Sequence, residues 1–297
     1  MPDVAEYAGL YACPRCSLIS LQPYPDAETV AGWYATTGNW ELLSPDEWRL
    51  PTLRRIEWIE RLRGGQPGRV LEIGACRGDF LHQMALRGWE VDGIEPAAKD
   101  VEVARERYGL SLRHEFFTPE MKGEGNYDVV ICWDVLEHCR FPEQIMSSML
   151  SHLRPGGLLF LSVPHIEGAG ARGLKRRWRY RMTPKHLHFF PLSWFEERAR
   201  EHGSELVEAN GFIKIHAWLE AATPSMIMPI LKFSMQAKKT DRLQARVGER
   251  QDGTGDRSES PLSALRRVAR SRVLRINQTP VPLPLADLLD VALRRKD

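Results

Sequence analysis

The fold of this chain is decided by the stretch Val70-Leu71-Glu72-Ile73-Gly74-Ala75-Cys76-Arg77-Gly78-Asp79-Phe80. Its apolar beginning predicts a buried strand, its two glycines predict a tight turn, and the residues from 79 onward predict a helix. Because glycine has no Cβ, the backbone of such a turn can pass close to a bound ligand. The first turn of the helix adds free N–H groups. The stretch therefore predicts a ligand-binding strand–turn–helix unit.

The composition of this turn argues against a dinucleotide ligand. A dinucleotide-binding turn has the pattern G-x-G-x-x-G and places a pyrophosphate at the start of the helix. Here Gly74, Cys76 and Asp79 stand at the three glycine positions, so two of the three positions depart from the pattern. The carboxylate of Asp79 would also repel a phosphate. A ligand without phosphate fits this turn better.

Strand-like and helix-like patterns alternate around this unit, from residue 51 to about residue 220. The alternation is typical of a parallel sheet with crossover helices. Asn210-Gly211 is a strong turn signal between 205–209 and 212–218 and predicts an antiparallel hairpin. We therefore expect an α/β, Rossmann-like, mostly parallel sheet with a C-terminal antiparallel hairpin and helices on both faces. The predicted strands are 70–74, 89–95, 128–133 and 158–163, and the predicted helices are 79–87, 99–108, 144–153 and 193–202.

Three later segments extend the pattern of the turn. Glu95 ends the second predicted strand, where a carboxylate can accept hydrogen bonds from both hydroxyls of a ribose. Residues 127–138 read Tyr-Asp-Val-Val-Ile-Cys-Trp-Asp-Val-Leu-Glu-His, and residues 153–158 read Leu-Arg-Pro-Gly-Gly-Leu. With the turn, these segments resemble class I S-adenosylmethionine-dependent methyltransferases of the type 11/23 kind. The similar family segments are motif I, (D/E)-x-G-x-G-x-G, then "FDvV…LEH" and the L-x-P-G-G turn.

The resemblance spans roughly residues 69–163 and implies S-adenosylmethionine as the cofactor. It implies that Glu72 and the turn hold the methionine end, and that Trp133 and Asp134 lie at the cofactor's edge. Phe116 and Phe117 are expected beside the adenine, with ordinary core packing as the alternative. Cys76 stands where the family has its middle glycine, and this departure weakens the expectation of activity. The predicted cofactor residues are Glu72, Gly74, Cys76, Gly78, Glu95, Phe116, Phe117, Trp133 and Asp134.

A dense positive segment follows the predicted strand 158–163, at the edge of the sheet where ligands bind in such folds. Residues 172–181 contain six cations, no acid and two aromatic residues. Arginine suits phosphate and carboxylate groups, so the segment predicts a binding site for an anionic acceptor. Nucleotide sugars, lipid-linked glycans and RNA all fit that description, and solvated surface charge is the alternative. The predicted acceptor-binding residues are Arg176, Arg177, Arg179 and Arg181.

Two histidines just beyond this segment are candidates for the catalytic base. His186 and His188 alternate, so an extended chain would point only one of them into the site. A histidine can take the proton of a hydroxyl group while that oxygen attacks a methyl group. A similar histidine stretch follows the fifth strand in relatives, so a structural role is the alternative.

The first fifty residues carry a cysteine pair, Cys13-Pro14-Arg15-Cys16, which has the spacing of a zinc knuckle. With residues 18–23, the pair resembles the second half of a zinc ribbon that precedes many bacterial methyltransferases of this type. A structural zinc ion needs four ligands. No second pair or histidine lies within the first twelve residues, so either the other half has been lost or a ligand comes from a distant segment or another chain. We assign no metal and predict a degenerate N-terminal cap.

The sequence predicts three parts: the cap over residues 1–50, a methyltransferase domain over 51–220 and a basic, partly helical C-terminal extension over 221–297. Basic amphipathic helices, predicted over 261–276 and 285–294, are of a kind that can touch an anionic membrane surface or a nucleic acid. Residues 1–10 lack a signal peptide's apolar stretch, and no apolar run reaches the length of a membrane span. We expect a cytoplasmic protein, with peripheral membrane contact as an alternative.

These observations predict an S-adenosylmethionine-dependent methyltransferase. Its expected reaction is O-methylation of a small-molecule, saccharide or lipid-linked acceptor that bears phosphate or carboxylate. One alternative is an RNA methyltransferase that uses the basic segment as a phosphate track, although the net charge of +2 does not indicate nucleic-acid binding by itself. The other alternative is a non-catalytic partner protein that keeps the fold, which the departure at Cys76 supports.

Overall fold

A computed structural model describes residues 9–26, 28–29, 45–174, 178–182, 185–212, 280–281, 283 and 286–296. The strands are β1 Gly9–Ala12, β2 Ile19–Gln22, β3 Arg69–Ile73, β4 Glu90–Ile94, β5 Tyr127–Trp133, β6 Leu153–Pro164, β7 His188–Phe189, β8 Ser204–Phe212, β9 Pro280–Val281 and β10 Leu288–Arg295. The helices are α1 Pro45–Leu62, α2 Asp79–Ala85, α3 Ala98–Tyr108, α4 Pro142–His152, α5 Ala169–Leu174, α6 Arg179–Met182 and α7 Leu192–Glu201, with a short 3₁₀ helix at Leu136–His138.

Seven of these strands form the main sheet, in the order β4-β3-β5-β6-β10-β8-β9. The neighbours from β4 to β6 are parallel, whereas β10 runs antiparallel to both β6 and β8. Outside β4, Arg113 makes an isolated parallel bridge to Ile94. The mostly parallel α/β sheet with an antiparallel C-terminal part, predicted from the sequence, is confirmed.

Helices cover both faces of the sheet because alternate residues of each strand point to opposite sides. On one face, α1 and α2 pack Ile56 and Phe80 into a cluster with Val129 of β5. On the other face, α4 and α7 pack Met149 and Trp194 into a cluster with Val130 of the same strand. Burying one large apolar side chain stabilises a fold by about 2 kcal/mol, so these two layers hold the helices against the sheet.

The antiparallel partner of β8 differs from the sequence prediction. The strand β8 continues through Asn210 and Gly211, which pair with Asp290 and Leu289 of β10 instead of forming a turn. The predicted turn at Asn210-Gly211 is therefore wrong. Except for Phe212, which belongs to β8, the predicted second strand over 212–218 lies outside the described residues. The pairing of Asn210 and Gly211 with the buried strand β10 outweighs their local preference for a turn.

The second departure concerns residues 285–294, for which the sequence analysis predicted a basic helix. The structure instead places the strand Leu288–Arg295 between β6 and β8, and residues 288–293 are buried. The helix prediction is wrong because a strand that is buried on both faces is largely apolar along its length. Its sequence lacks the alternation of apolar and polar residues that would distinguish a strand from a helix. The sheet thus includes part of the predicted C-terminal extension, whereas the predicted helix over 261–276 lies outside the described residues. None of the helices in the described part of the chain combines the length and apolar character that a membrane crossing requires.

The N-terminal cysteine pair lies in a small second sheet of order β1-β2-β7. Cys13 and Cys16 occupy the turn between β1 and β2, where Ser17 N donates to Cys13 O at 2.9 Å. Both thiols are free. Strand β2 pairs with β7, so Ser20 lies opposite His188. The hairpin therefore supports the segment that carries the two predicted catalytic histidines.

A buried ion pair ties α1 to the middle of the main sheet. The Arg55 guanidinium donates to both carboxylate oxygens of Asp290 in β10, at 3.0 and 3.1 Å, and to Ser162 Oγ in β6 at 2.8 Å. It also lies over the ring of Trp133 in β5, 4.2 Å from the ring centre. Three neighbouring strands are thus joined to one helix by a single side chain.

We predict that Arg55→Met destabilises the protein far more than Arg61→Met on the same helix. Arg61 also binds a carboxylate with two contacts, to Glu208 at 2.7 and 2.8 Å, but its side chain is 59% exposed against 16% for Arg55. Removing Arg55 leaves the carboxylate of Asp290 buried without its partner, at a cost of about 3 kcal/mol. The exposed pair contributes less than about 1 kcal/mol.

The free energy of unfolding, measured by urea titration of both variants and the wild type, checks this expectation. An equal loss in Arg55→Met and Arg61→Met would show that the buried pair has no special structural role.

Candidate functional site

The turn between β3 and α2 lies at the carboxyl edge of the sheet and is held from two sides. The N–H groups of Gly74 and Ala75 donate to Ile94 O at 2.9 and 3.1 Å, which fixes the turn to the end of β4. Gly74 has φ +76°, and a Cβ on it would come within 2.5 Å of Val135 Cγ2. Only glycine fits there, since both the backbone conformation and the neighbour exclude a side chain.

Cys76, at the family's middle-glycine position, takes a backbone conformation that favours glycine, with φ +47°. A non-glycine residue in this region carries a backbone cost of about 1 kcal/mol. Burial raises the pKa of its thiol well above the usual value, and the nearby carboxylates of Glu95 and Glu72 add to that effect. The thiol therefore stays protonated, and Cys76 is a steric element of the turn with no nucleophilic character.

Glu95 joins the turn to the start of α3. Its Oε2 accepts a hydrogen bond from Cys76 N and its Oε1 accepts one from Ala97 N, each at 2.8 Å. Burial raises the pKa of this carboxyl, and the two N–H groups oppose that shift. Each carboxylate oxygen has a further lone pair, so Glu95 can hold the turn and accept a hydroxyl of a ligand at the same time.

Glu72 is a buried acid at the end of β3. Its Oε2 has no hydrogen-bond partner among the described residues. Burial raises the pKa of Glu72 well above its usual value, while Arg55 lowers it and Glu95 and Asp79 raise it further. An orphaned carboxylate oxygen beside two other acids would be stabilised by a cationic ligand group, so this edge fits a ligand with positive charge.

Trp133 and Asp134 follow each other at the carboxyl end of β5 but have different surroundings. The Trp133 ring packs between Arg55 and the core residues Phe80 and Phe160. Asp134 has φ +55°, and its Oδ1 accepts a hydrogen bond from Ser162 Oγ at 3.2 Å. Asp134 and Cys76 thus take left-handed backbone conformations at the ends of two adjacent strands, a kind of strain that clusters at functional sites.

The structure separates the two phenylalanines predicted beside adenine. Phe116 is 62% exposed, whereas Phe117 is partly buried against the core, with its ring 5.5 Å from that of His152. The chain just before them is anchored to β4, because Arg113 N donates to Gly93 O at 2.8 Å. Phe116 is therefore the more exposed of the two rings, and Phe117 packs against α4.

The two predicted catalytic histidines contact different parts of the fold. His188 lies in β7 with only 1% of its surface exposed, and its Nδ1 is 2.9 Å from Ser20 Oγ of the N-terminal hairpin. Burial lowers the pKa of His188 to about 4, and the carbonyl groups of Cys139 and Arg140 only partly oppose the shift. His188 is thus a buried neutral side chain between two sheets, a poor position for a base.

His186 belongs to a cluster that includes Glu137 and His138 of the "LEH" segment. Its Nδ1 donates to Tyr180 O at 2.7 Å, and its Nε2 lies 4.0 Å from Glu137 Oε1. The Nε2 of His138 lies 3.9 Å from the same oxygen. Of these three residues, only His186 was predicted as a site residue from the sequence. The signal that could have joined them is that both histidine-bearing segments follow strands at one edge of the sheet.

The predicted acceptor-binding arginines fall mostly outside the described residues. Arg176 and Arg177 lie outside them, and so does the side chain of Arg179. Arg181 is half-buried in α6, next to a turn in which its N–H donates to Trp178 O at 3.0 Å. The indole of Trp178 is buried 5.6 Å from the ring of Phe189, which fixes α6 beside β7.

Sequence comparison identifies relatives for the central part of the chain. A family model described as "Methyltransferase domain" matches residues 47–209. A "Ubiquinone biosynthesis O-methyltransferase" of Bordetella avium (strain 197N) is 33% identical over 115 residues, covering 36% of this chain and 48% of the relative. A protein of the same name from Burkholderia pseudomallei (strain 1710b) is 30% identical over 170 residues, covering 53% of this chain and 73% of the relative. The chain spans about half the length of the first of these relatives.

Two solved structures share the fold of this chain. A Burkholderia thailandensis 1,6-didemethyltoxoflavin-N1-methyltransferase, with 1,6-didemethyltoxoflavin and S-adenosylhomocysteine bound, has a TM-score of 0.53 at 13% identity and covers 97% of this chain and 98% of its own. A SAM dependent methyltransferase from Archaeoglobus fulgidus has a TM-score of 0.51 at 13% identity. The match covers 83% of this chain and 93% of the Archaeoglobus chain. At this level of identity the likeness concerns the fold alone.

We predict that His188→Gln weakens the dependence of stability on pH. The folded-state pKa of His188, about 4, lies below its ordinary value of 6.5. The unfolded chain therefore binds the proton first, so the stabilisation is complete above pH 6.5 and disappears as the pH falls towards 4. The stability difference between wild type and variant should shrink by about 2 kcal/mol from pH 7.5 to pH 5.

Urea unfolding of both proteins at the two pH values measures this difference. A difference that stays constant would mean that His188 is not a buried neutral histidine and would reopen its assignment as a base.

Proposed function

The chain belongs to the methyltransferase-domain family, and we propose that it transfers a methyl group from S-adenosylmethionine to an oxygen atom of a small-molecule acceptor. The family confirms three predictions made from the sequence: the methyltransferase class, the Rossmann-like fold and S-adenosylmethionine as the cofactor. The residue roles and the acceptor that follow are proposals.

The acidic carboxyl edge is the observation that carries the placement of the cofactor. We propose that Glu95 accepts the ribose hydroxyls with the lone pairs left by Cys76 N and Ala97 N. The orphaned Oε2 of Glu72 is suited to the ammonium group of the methionine end. The exposed ring of Phe116 offers a stacking surface for adenine. When bound, S-adenosylmethionine supplies an electrophilic methyl group next to a positive sulfur, a charge that the surrounding acids favour.

The presence of cysteine in place of the family's middle glycine at position 76 does not by itself prevent cofactor binding. The residue already takes the left-handed conformation that the turn requires, and its amide is directed to Glu95. The turn therefore keeps the shape that a glycine would give, and the added thiol is the only difference in volume. This supports a cofactor-binding protein over a non-catalytic partner protein that keeps the fold.

Oxygen as the methylated atom is supported by the names of the relatives, "Ubiquinone biosynthesis O-methyltransferase". A hydroxyl acceptor must lose its proton as it is methylated. We propose that the proton leaves at the cluster of Glu137, His138 and His186. In His186, the hydrogen bond from Nδ1 to Tyr180 O leaves a lone pair on Nε2, so this histidine is the candidate base. His188 is withdrawn from that role because it is buried beside Ser20.

An anionic group on the acceptor is a further part of this proposal. The cations of residues 172–181 follow β6 in the sequence, and acceptors of such sheets lie beyond the carboxyl ends of the strands. Of the four predicted arginines, Arg181 is the one whose side chain the structure describes. A phosphate or carboxylate on a saccharide or lipid-linked acceptor would be held there by charge.

We predict that Glu95→Ala weakens binding of S-adenosylmethionine at least tenfold, because the variant loses the acceptors for both ribose hydroxyls. Glu90→Ala is the matched control, since Glu90 begins the same strand and is exposed at its opposite end. The control should bind within twofold of the wild type. Titration calorimetry with the cofactor measures both.

An unchanged affinity in Glu95→Ala would overturn the proposed position of the cofactor. Failure of the wild type to bind S-adenosylmethionine would instead favour the non-catalytic alternative.

The reaction itself is tested by incubating the full chain and S-adenosylmethionine with pools of phenolic and saccharide acceptors, followed by mass spectrometry. The expected result is an acceptor that gains one methyl group on oxygen, with much less product from His186→Ala. Methyl transfer to RNA, with binding that falls steeply as salt is added, would contradict the small-molecule proposal. Cofactor binding without any methylated acceptor would contradict the reaction.

A further inference from the structure

We propose that Glu137, His138 and His186 form a binding site for a divalent transition-metal ion. One carboxylate oxygen and two imidazole nitrogens lie within 4.8 Å of one another. These three side chains come from two separate segments, the 3₁₀ helix after β5 and the chain just before β7. The spatial cluster is therefore a product of the fold, and no sequence motif contains all three.

The hydrogen bonds of the two histidines orient their ligand atoms. His138 Nδ1 pairs with Lys185 O at 2.8 Å, and His186 Nδ1 pairs with Tyr180 O at 2.7 Å. A carbonyl oxygen only accepts, so each Nδ1 carries the proton and each neutral ring keeps a lone pair on Nε2. Both Nε2 atoms face Glu137 Oε1, at 3.9 and 4.0 Å. Backbone carbonyls that fix the tautomer in this way are typical of metal-binding histidines.

The backbone holds the two segments together without help from an ion. Leu187 N donates to Glu137 O at 2.8 Å, beside the bond between His138 and Lys185 O. Leu21 N of the N-terminal hairpin donates to Leu187 O at 2.9 Å and supports the same segment. These hydrogen bonds hold the backbone of both segments in place before any ion binds. A metal site requires ligand atoms that are positioned in advance in this way.

The spacing and charge of the cluster suit a small cation. In a tetrahedral site with bonds of about 2.1 Å, ligand atoms are about 3.4 Å apart. The distances from Glu137 Oε1 to the two histidine nitrogens, 3.9 and 4.0 Å, therefore need to shorten by about half an ångström, and all three ligand atoms already lie within 4.8 Å of one another. The charged groups that act on His138 are Asp134, which favours a cation, and Lys185, which opposes one.

The donor set identifies the class of ion. Two imidazoles and one carboxylate suit Zn²⁺, Fe²⁺, Co²⁺ or Ni²⁺, whereas Mg²⁺ and Ca²⁺ prefer a shell of oxygen atoms. Three protein ligands also leave at least one coordination position for water or an acceptor oxygen. The side chain of His138 is 19% exposed and is the most exposed of the three proposed ligands.

The site adjoins the proposed cofactor turn, which suggests a use for the ion. Val135, two residues before Glu137, touches the position where Gly74 would carry a Cβ. If the ion bound the acceptor hydroxyl, it would lower the pKa of that hydroxyl, the proton would pass to water, and His186 would then be a metal ligand in place of the base. This use rests on the proposed function, whereas the binding of the ion rests on the geometry alone.

Metal binding is tested on the full chain, without an affinity tag, after dialysis against a chelator. Calorimetry with Zn²⁺ and visible absorption with Co²⁺ should both show one ion bound per chain. His186→Gln and Glu137→Gln should each weaken Zn²⁺ binding at least tenfold and remove the Co²⁺ absorption bands. His152→Gln is the matched control, since His152 is also buried and bonded to a carbonyl, Ser148 O, but lies at the end of α4. The control should bind the ion like the wild type.

The inference is overturned if the wild type takes up neither ion, or if uptake survives in both His186→Gln and Glu137→Gln. Uptake that is lost in Cys13→Ser instead would place the ion on the N-terminal cysteine pair and would also overturn it. Circular dichroism of the chelated variants shows whether they fold, and the Co²⁺ spectrum of the wild type tests the ligand set without any variant. Titrating S-adenosylmethionine into the chelated protein separates the two proposals, because cofactor binding without Zn²⁺ binding refutes only the metal site.

Discussion

The carboxylate of Glu95 is the contact on which the functional edge of this protein depends. Its two oxygens accept the N–H groups of Cys76 and Ala97, and so join the glycine turn after β3 to the helix after β4. The shape of the turn therefore depends on the acid beside it. A side chain at Gly74 would meet Val135, so the same turn also sets the path of the chain towards Glu137 and His138. The proposed cofactor site and the proposed metal site are adjacent for this reason.

The acids of this edge require a counter-charge, which the fold supplies from α1. Arg55 lies over Trp133 and binds Asp290, and its charge lowers the pKa of Glu72 although burial raises it. One buried cation, Arg55, thus faces the carboxyl groups of Glu72 and Asp290. A cationic ligand group would favour the ionised form of Glu72, whereas a phosphate would disfavour it. Both the charges at this edge and the departure of its turn from the dinucleotide pattern favour a ligand that has a cationic group and no phosphate.

Local patterns predicted the parts of this structure that depend on local contacts. The strand–turn–helix unit, the acid at Glu95 and the separate strands up to β6 were all predictable, because each is marked by residues that are close in sequence. The strand β10 was not, since a buried central strand and a buried helix have the same apolar run, and its pairing with β8 and β6 crosses a long stretch of chain. The pairing of Arg55 with Asp290 and the meeting of His186 with Glu137 were missed for the same reason. A sequence shows which side chains can do chemistry, but only the fold shows which of them meet.

We propose that the acidic edge holds S-adenosylmethionine by its ribose and its amino group. A crystal structure of the full chain with S-adenosylhomocysteine bound is the decisive measurement. We expect both ribose hydroxyls within about 3.2 Å of the Glu95 carboxylate, the amino group beside Glu72 and the adenine against Phe116. A ligand bound elsewhere on the chain, with no contact to Glu95 or Glu72, would refute the proposed site.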